Sequence, residues 1–372
     1  MNSKRRLYEY EGEAASAPGD TLKETLDALG MRQKDLSLRT GLTPKTISGI
    51  INGKEPLSQQ TALQLETVLG VPASIWNNLE RQYQEYRART AQAAEMRTQK
   101  DWLCQFSMAE MLDWKWIERC QDTAQQVLAV LRFFGCSSPA QCDSYLKYTA
   151  AQYRKAAKFT PDERALGAWL RQGERMGQQL DCAPYNAATF RQILRDARQL
   201  TTETPEVFVP QLTHMCAQAG VAMVFVRELP KIRVSGATRW LTSDRALIQL
   251  DLRYKSNDQL WFSFFHEAGH VLLHGKRQVF VDGQDRAQND LELAADRFAS
   301  DTLIPAVAYS SFVQRGRFTS SAITTFAREQ QVAPGIVVGR LQHEGRVEHN
   351  MLNNLKQRLI WVEKDRDAQG DA

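Results

Sequence analysis

Two histidines and a glutamate lie within five consecutive residues, His266-Glu267-Ala268-Gly269-His270. The stretch around them, WFSFFHEAGHVLLH, is strongly apolar and predicts a buried helix. At ~3.6 residues per turn, side chains four positions apart share one helix face, so both imidazoles can reach one ion. Zinc suits this arrangement because it accepts imidazole nitrogen and keeps a position open for water. We predict that His266 and His270 bind zinc and that Glu267 is the general base of a peptide-bond hydrolysis.

Such a five-residue pattern also recurs by chance, and then it more often marks a solvated helix face than a metal site. The neighbours here are apolar, among them Trp261, Phe264, Phe265 and Leu272. Imidazoles in such surroundings would be desolvated unless something satisfied them. The setting therefore favours the metal site.

A third ligand is expected from the downstream segment LELAADRFASDTLIP, where Glu292 and Asp296 are four residues apart. If this helix packs against the first, Glu292 completes a site of two histidines and one carboxylate, and Asp296 accepts the free N–H of a liganding histidine. The alternative is an amphipathic helix with two acids on its wet face. His274 lies two turns from His266, about 12 Å along the helix, so we predict a structural or supporting role for it.

Composition gives broad limits on the class of protein. The chain has 372 residues, with 47 Lys and Arg against 43 Asp and Glu; one domain per ~150 residues suggests two or three domains. Any contact with nucleic acid must come from a local patch. The six cysteines show no CxxC spacing, the first residues lack the apolar core of a secretory signal, and no apolar run approaches the ~20 residues that cross a bilayer. We expect a cytoplasmic protein with reduced thiols and no membrane partner.

The N-terminal region predicts a second kind of module. Residues 21 to 70 form short helical segments that end at or near Gly30, Gly41, Gly53 and Gly70, as helix C-terminal caps require. Only a few residues around Gly41 separate the second and third segments. This is helix-turn-helix spacing.

The third segment has the features of a helix that reads the major groove. Thr43 is a suitable N-cap, Pro44 fits the first turn, and the side opposite the isoleucines is small, polar and basic. The predicted DNA-binding residues are Gln33, Thr43, Lys45, Thr46, Ser48 and Lys54. Residues 31 to 56 carry five basic and two acidic side chains, a local net charge of +3. The alternative is a small helical bundle of the same shape that binds protein.

Both regions resemble known families. The sequence GMRQKDLSLRTGLTPKTISGIINGKEPLSQQTALQLETVLGVPASIWNNLERQY closely resembles the Cro/C1-type helix-turn-helix domain of the HigA antitoxin branch, over residues 18 to 86. FFHEAGHVLLHGK followed by LELAADRFASDTLIP resembles the ImmA/IrrE metallopeptidases. Together the two resemblances cover about half of the chain.

The second peptidase block usually reads E-x-x-A-N-x-F-A-x-x-L-L-x-P in that family. Glu292 matches its acid, Phe298 and Ala299 match the FA pair, and Pro305 matches the final proline. Asp296 stands where Asn is common, which makes the block more like the Glu-x-x-x-Asp of gluzincins. The third ligand is then Glu292 or Asp296, and we predict Glu292.

The rest of the chain sets the expected architecture: a mainly α, multi-domain protein. We predict a helix-turn-helix bundle over 18–86, a helical connector with its own small core over 87–200, an α+β zincin-like peptidase domain over 201–310 and a C-terminal helical segment over 311–372. From 206 to 252, short β-rich runs flank the turn-like SGATRW, which indicates a small sheet. Arg239 and Trp240 are either cleft residues or part of a surface loop.

The resemblance implies intracellular zinc endopeptidases, several of which cleave repressors. The expected protein is therefore a transcriptional regulator that binds a double-stranded DNA operator and hydrolyses a repressor or toxin-like protein partner. A homodimer is expected because helix-turn-helix proteins usually read paired half-sites. The alternative is a non-proteolytic repressor or antitoxin in which the peptidase fold serves as sensor or scaffold.

Overall fold

The computed structural model describes residues 15–154, 162–232, 234–252, 256–274, 280–281 and 289–361. The chain divides into two compact units. The N-terminal unit contains the chain up to Lys100 together with Cys120–Leu128. The C-terminal unit contains Asp101–Arg119 and the chain from Ala129 onward.

Five helices make up most of the N-terminal unit: α1 (Pro18–Ala28), α2 (Gln33–Thr40), α3 (Pro44–Ile51), α4 (Gln59–Leu69) and α5 (Ala73–Arg97). Gly41 ends α2 with a φ of 75°, a left-handed conformation that favours glycine, and Gly70 ends α4 in the same way. The glycine-bounded segments predicted from the sequence are therefore helices, and the short connection between α2 and α3 is confirmed.

The N-terminal unit has its own hydrophobic core. Leu22, Leu36, Ile47, Leu65 and Trp76 are completely buried within it. Since each of the five comes from a different helix, the core joins α1 to α5. The isoleucines of α3 supply the inner face of that helix, so its polar positions face outward.

The C-terminal unit is also mainly helical. Its helices are α6 (Lys100–Leu103), α7 (Met108–Asp113), α8 (Thr123–Phe134), α9 (Pro139–Arg154), α10 (Glu163–Gln179), α11 (Ala187–Ala197), α12 (Pro205–Gln218), α13 (Asn257–Leu273), α14 (Asn289–Leu303), α15 (Ala306–Gln314), α16 (Ser320–Glu329) and α17 (Pro334–His343). Lys100 and the first turns of α8 belong to the N-terminal unit. Short 3-10 turns cover Arg198–Thr202 and Asn353–Leu355. None of the described helices is long and apolar enough to span a membrane.

One small sheet supports these helices. Its strands are β1 (Val221–Phe225), β2 (Gly236–Thr242), β3 (Arg245–Leu250) and β4 (Phe280–Val281), in the spatial order β1-β3-β2-β4. β1 and β3 are parallel, whereas β2 is antiparallel to both β3 and the two-residue β4. Because β4 covers only two residues, β2 lies almost at the edge of the sheet.

The sheet corrects two details of the sequence-based prediction. SGATRW is strand β2 in most of its length, and the turn falls at residues 243–244 instead. The Ser-Gly pair indicated a turn, but pairing with β3 holds the segment extended from Gly236 onward. The predicted β-rich region also begins too early, because residues 205–218 form α12, with Pro205 in its first turn.

Most of residues 87–200 belong to the same compact unit as the sheet, α13 and α14. The indole N–H of Trp169 on α10 donates to the Val226 carbonyl at 3.2 Å, and the Gln249 amide donates to the Trp169 carbonyl at 2.8 Å. A Cβ at Gly173 would collide with the Gln249 side chain. α10 therefore packs directly on the sheet and shares its core.

The core of the C-terminal unit surrounds α13. Trp261, Phe264 and Phe265 on this helix are essentially buried and belong to one hydrophobic cluster with the strands and α17. α17 is itself largely buried, with Val337, Val338 and Leu341 in that cluster. The second helix of the consecutive pair α16–α17 thus packs into the core. All six cysteines are free thiols.

Candidate metal centre

Buried polar side chains of α13 and α14 meet at one place in the C-terminal unit. His266, Glu267 and His270 on α13 are 5%, 1% and 2% exposed, and Glu292 on α14 is 8% exposed. The helices approach closely at Gly269, where a Cβ would lie 3.2 Å from the Ala295 Cα. The apolar face of α13 therefore buries the two imidazoles, and Gly269 lets α14 bring its carboxylate to them.

Three ligand atoms converge in this cluster. His266 Nε2 lies 2.9 Å from His270 Nε2 and 3.2 Å from Glu292 Oε2, and His270 Nε2 lies 3.6 Å from Glu292 Oε2. Ligands at 2.0–2.1 Å from a tetrahedral zinc ion are about 3.3 Å apart. The structure thus brings together the three predicted ligands at a spacing that fits zinc.

The chemistry of the donor set also fits a cation. The second carboxylate oxygen of Glu292, Oε1, is buried and has no hydrogen-bond partner among the described residues. Burial by itself raises the pKa of Glu292, but the adjacent imidazoles of His266 and His270 outweigh burial and lower that pKa to about 2. Glu292 is therefore ionised, and a negative charge with an orphaned oxygen faces two imidazole nitrogens.

The outer nitrogens of both imidazoles have partners that determine which nitrogen points into the cluster. His266 Nδ1 lies 2.8 Å from Asp296 Oδ1, and a carboxylate can only accept there. His270 Nδ1 lies 2.9 Å from His274 Nδ1. Burial and the nearby His270 lower the pKa of His274 to about 4, so a neutral His274 can accept the His270 proton. Both Nε2 lone pairs are then directed at the cluster.

Asp296 consequently contacts the outer nitrogen of His266, whereas Glu292 lies close to the Nε2 atoms of both His266 and His270. His274 is too far along α13 to join the same cluster, but it contacts His270 from outside. The supporting roles of Asp296 and His274 stay predictions that these contacts favour.

The carboxylate of Glu267 is held from the side of the sheet. Thr238 on β2 donates its hydroxyl to Glu267 Oε2 at 2.6 Å, and this threonine is 2% exposed. A Cβ at Gly236, two residues earlier on the same strand, would lie 2.5 Å from Glu267 Oε1. β2 therefore holds one oxygen of Glu267 by a hydrogen bond, and the position beside the other oxygen has no room for a side chain.

Sequence reasoning missed Thr238 and Gly236. Their only signal was alternation: in an extended strand, residues two apart point to the same face. Because this segment was interpreted as a turn, the alternation was not applied to it. Arg239 points to the opposite face, where its guanidinium donates to the Leu170 carbonyl at 2.8 Å, so it is not a residue of the cleft around Glu267.

The predicted DNA-binding residues lie on the surface of the N-terminal unit. Thr43 caps α3, as predicted, by accepting a hydrogen bond from the Thr46 N–H at 3.1 Å. Gln33, Lys45 and Lys54 are exposed. Thr46 and Ser48 are half-buried. The six side chains surround the start of α2 and the outer face of α3.

Family models match the chain in two places. A helix-turn-helix model matches residues 22–76, and an IrrE N-terminal-like domain matches residues 219–342. The first match lies within the predicted 18–86. The second ends at Gln342 on α17, beyond the predicted boundary at 310, because α16 and α17 contribute to the same core as α13.

Known proteins resemble the N-terminal part. An uncharacterised helix-turn-helix transcriptional regulator of Escherichia coli strain K12, YddM, is 32% identical over 63 residues, which are 17% of this chain and 67% of the relative. Two solved structures each match 22% of the chain at 25% identity with a TM-score of 0.21. One is assigned as an antidote of a plasmid maintenance system from Nostoc punctiforme, with 88% of it covered, and the other is a HigA-family addiction module antidote from Coxiella burnetii, with 90% covered.

Proposed function

Because the chain belongs to the family of helix-turn-helix transcriptional regulators and carries an IrrE N-terminal-like domain, we propose that it is a DNA-binding, zinc-dependent endopeptidase. In this proposal the N-terminal unit binds an operator in double-stranded DNA. The C-terminal unit hydrolyses a peptide bond in a protein partner, a repressor or a toxin-like protein. Both events would take place in the cytoplasm, where the operator is.

His266, His270 and Glu292 would hold the metal, since their ligand atoms all lie within 4.8 Å of one another. When bound, zinc supplies a Lewis acid that polarises a carbonyl and lowers the pKa of water to roughly 7. Asp296 and His274 keep the two imidazoles in the tautomer that presents Nε2. These residues fix the ligand set before any substrate arrives.

Glu267 would carry the proton. It accepts one from the attacking water as the oxygen forms its bond to the peptide carbonyl carbon, and it delivers that proton to the amide nitrogen when the C–N bond breaks. Thr238 would hold Oε2 by its hydroxyl and so orient the carboxylate for this transfer. The burial of Glu267 limits competing bulk water.

The observation that carries the proposal is the joint placement of three ligands and a separately held base. Metal analysis of the purified full chain tests its first step. We expect about one zinc ion per chain, and we expect His266→Ala to remove it. Zinc retained at the same level by His266→Ala would exclude this centre as the metal site.

Glu267→Gln tests the second step, because it keeps the size of the side chain and removes the proton acceptor. We expect the variant to keep zinc and operator binding and to lose cleavage of the partner, together with the transcriptional response that depends on cleavage. The partner can be found by comparing the proteins of cells that express the two forms.

The same experiment decides the non-proteolytic alternative, a repressor or antitoxin that uses the peptidase fold as sensor or scaffold. A scaffold has no need for a base held at 2.6 Å by a buried threonine, which favours the enzyme. Equal regulation by wild type and Glu267→Gln would instead establish the scaffold.

A further inference from the structure

A cavity of about 280 Å³ lies beside the metal centre, between α13, α14 and α17. Its lining includes Asp258, Phe262, Asp296, Ser300, Arg340 and His343. Small-molecule pockets usually measure ~300–1,000 Å³, so this cavity suits a single side chain or a molecule of that size. It is not used by any step of the proposed hydrolysis.

Asp258 is the most informative residue of the lining. It lies on the first turn of α13, two turns before His266, and it is 4% exposed. Its Oδ2 forms an ion pair with Lys356 Nζ at 2.7 Å. Its Oδ1 is buried and has no hydrogen-bond partner within the described ranges. A buried carboxylate oxygen of this kind needs a donor, and the cavity is where one can enter.

Arg340, which also lines the cavity, does not supply that donor. Its guanidinium donates to the carbonyls of Ser300 and Ile304 at 3.0 Å and forms an ion pair with Glu344 at 3.2 Å. Its donors and its charge are thus already engaged. Asp296 gives the lining a second carboxylate; its Oδ1 contacts His266, and its side chain is 44% exposed.

The cavity is close enough to the metal centre to receive part of a substrate bound there. The centroid of the Phe262 ring, which lines the cavity, is 6.2 Å from that of His266 and 6.4 Å from that of His343. Phe262, Leu303, Ile304 and Ile336 provide apolar walls. A group that fits would carry a positive charge with N–H donors at the end of a short apolar stem.

We propose that this cavity binds a guanidinium or ammonium group, with Asp258 as its main acceptor. The group could come from a basic residue next to the scissile bond of the substrate or from a free small cation. The first source rests on the proposed peptidase function; binding of the cation does not.

Direct binding is tested with n-butylguanidinium and its uncharged isostere n-butylurea, titrated into the zinc-loaded full chain and followed by ligand-observed NMR. We expect butylguanidinium to bind about tenfold more tightly than butylurea, and Asp258→Asn to remove that difference. Lys356→Met should act in the opposite direction and tighten butylguanidinium by a factor of about three, because it releases the second oxygen. Asp290→Asn, an exposed acid on α14 outside the cavity, is the matched control.

The zinc content of each variant reports whether the helices around the centre are intact. Equal affinity for the two probes overturns the proposal, and so does unchanged butylguanidinium binding in a zinc-loaded Asp258→Asn. If Asp258→Asn does not fold, Lys356→Met decides: unchanged or weaker binding of the cation overturns the proposal.

Digestion of a random peptide library by the full chain separates the two sources. A preference for Arg or Lys at one position, lost in Asp258→Asn, identifies a substrate side chain. Cleavage without that preference, together with butylguanidinium binding, identifies a free cation. Binding of the cation without any cleavage refutes the peptidase function and leaves the cation site standing.

Discussion

Each imidazole of the centre is oriented by a different kind of partner. Asp296 gives His266 a charged acceptor, and His274 gives His270 a neutral one. An ionised acceptor forms the stronger hydrogen bond and raises the basicity of the ring more. The two supporting residues are therefore not equivalent, although they stand at similar distances from the imidazoles they support.

Replacing Asp296 should weaken the metal centre without dismantling it. We expect Asp296→Ala to lower zinc affinity by about 10–100-fold, because the His266 ring loses its acceptor and the tautomer is no longer fixed. Competition with a chromophoric chelator measures the change. Asp301 is an exposed acid on α14, more than one turn after Asp296. Asp301→Ala should leave zinc affinity unchanged. An Asp296→Ala protein with wild-type affinity would show that Asp296 does not support the ligand.

Thr238 should affect turnover and leave metal binding alone. Thr238→Val keeps the shape of the side chain but removes the hydroxyl that holds Glu267 Oε2. We expect kcat/KM to fall by about tenfold, the value of one hydrogen bond to a charged group, with zinc content unchanged. Thr238→Ser keeps the hydroxyl and should retain most activity. Equal loss in the serine and valine variants would show that packing matters here and the hydrogen bond does not.

At this scale the sequence revealed the residues whose types are rare in an apolar helix. Two imidazoles and a carboxylate among phenylalanines are visible without a structure. A threonine in a β-rich segment is not, because threonine is common in strands whether or not its hydroxyl has a partner.

At the scale of helices and strands, the distance between α13 and α14 controls whether the candidate ligands can meet. Gly269 falls inside the sequence motif, one residue before His270, and its missing side chain leaves room for Ala295. The neighbouring atom is a backbone Cα on α14, which cannot rotate out of the way. Close approach of the helices and convergence of the ligands are therefore linked.

Gly269→Ala should push the two helices apart. We expect it to destabilise the C-terminal unit by about 1–3 kcal/mol and to reduce zinc affinity together with stability, because overpacking shifts Glu292 away from the histidines. Chemical unfolding followed by tryptophan fluorescence gives the free energy. Leu293→Ala, on the exposed side of α14, should change it by less than about 0.5 kcal/mol. A Gly269→Ala protein of normal stability and zinc content would show that the contact is loose.

Helices were easier to predict than the strand. The helical segments of the N-terminal unit end at or near glycines. In α13 and α14, the helical spacing of the apolar residues indicates the buried face. β2 was harder to predict because its Ser-Gly start indicates a turn, whereas hydrogen bonds to β3 hold the segment extended.

At the scale of the whole molecule, the N-terminal unit has a core of its own, and the candidate metal ligands His266, His270 and Glu292 all lie in the C-terminal unit. DNA binding and metal binding should therefore be separable by substitution. This separation is what makes the Glu267→Gln experiment interpretable.

Operator binding should depend on α3 and its surroundings. Each of Lys45→Ala and Lys54→Ala should lower the slope of log affinity against log salt concentration by about 1, because each removes one phosphate contact. Fluorescence anisotropy with operator fragments at several salt concentrations measures the slope. Lys147→Ala, an exposed lysine on α9 of the C-terminal unit, should leave it unchanged. Slopes that do not move for Lys45 and Lys54 would favour a protein-binding bundle.

Domain boundaries were the least predictable feature at this scale. The sequence predicts a connector over residues 87–200 because the aromatic residues there show no regular spacing. In the structure α10 packs on the sheet, and the indole N–H of Trp169 donates to the carbonyl of Val226, the residue that follows β1. Sequence periodicity shows that a face is apolar but not which element covers it.

The sequence by itself determined the chemistry and its local frame: His266, Glu267 and His270 on one buried helix, Glu292 and Asp296 four apart on another, and a capped, glycine-bounded helix-turn-helix at the N-terminus. These features depend on residue type and on the 3.6-residue period, both of which are local. Only the tertiary structure decided that Glu292 faces both histidines, that His274 supports His270, that Thr238 holds Glu267 and that Asp258 lines a cavity beside them. Those relations join residues from 4 to about 100 positions apart, and they exist only once packing has set the distances between helices and strands.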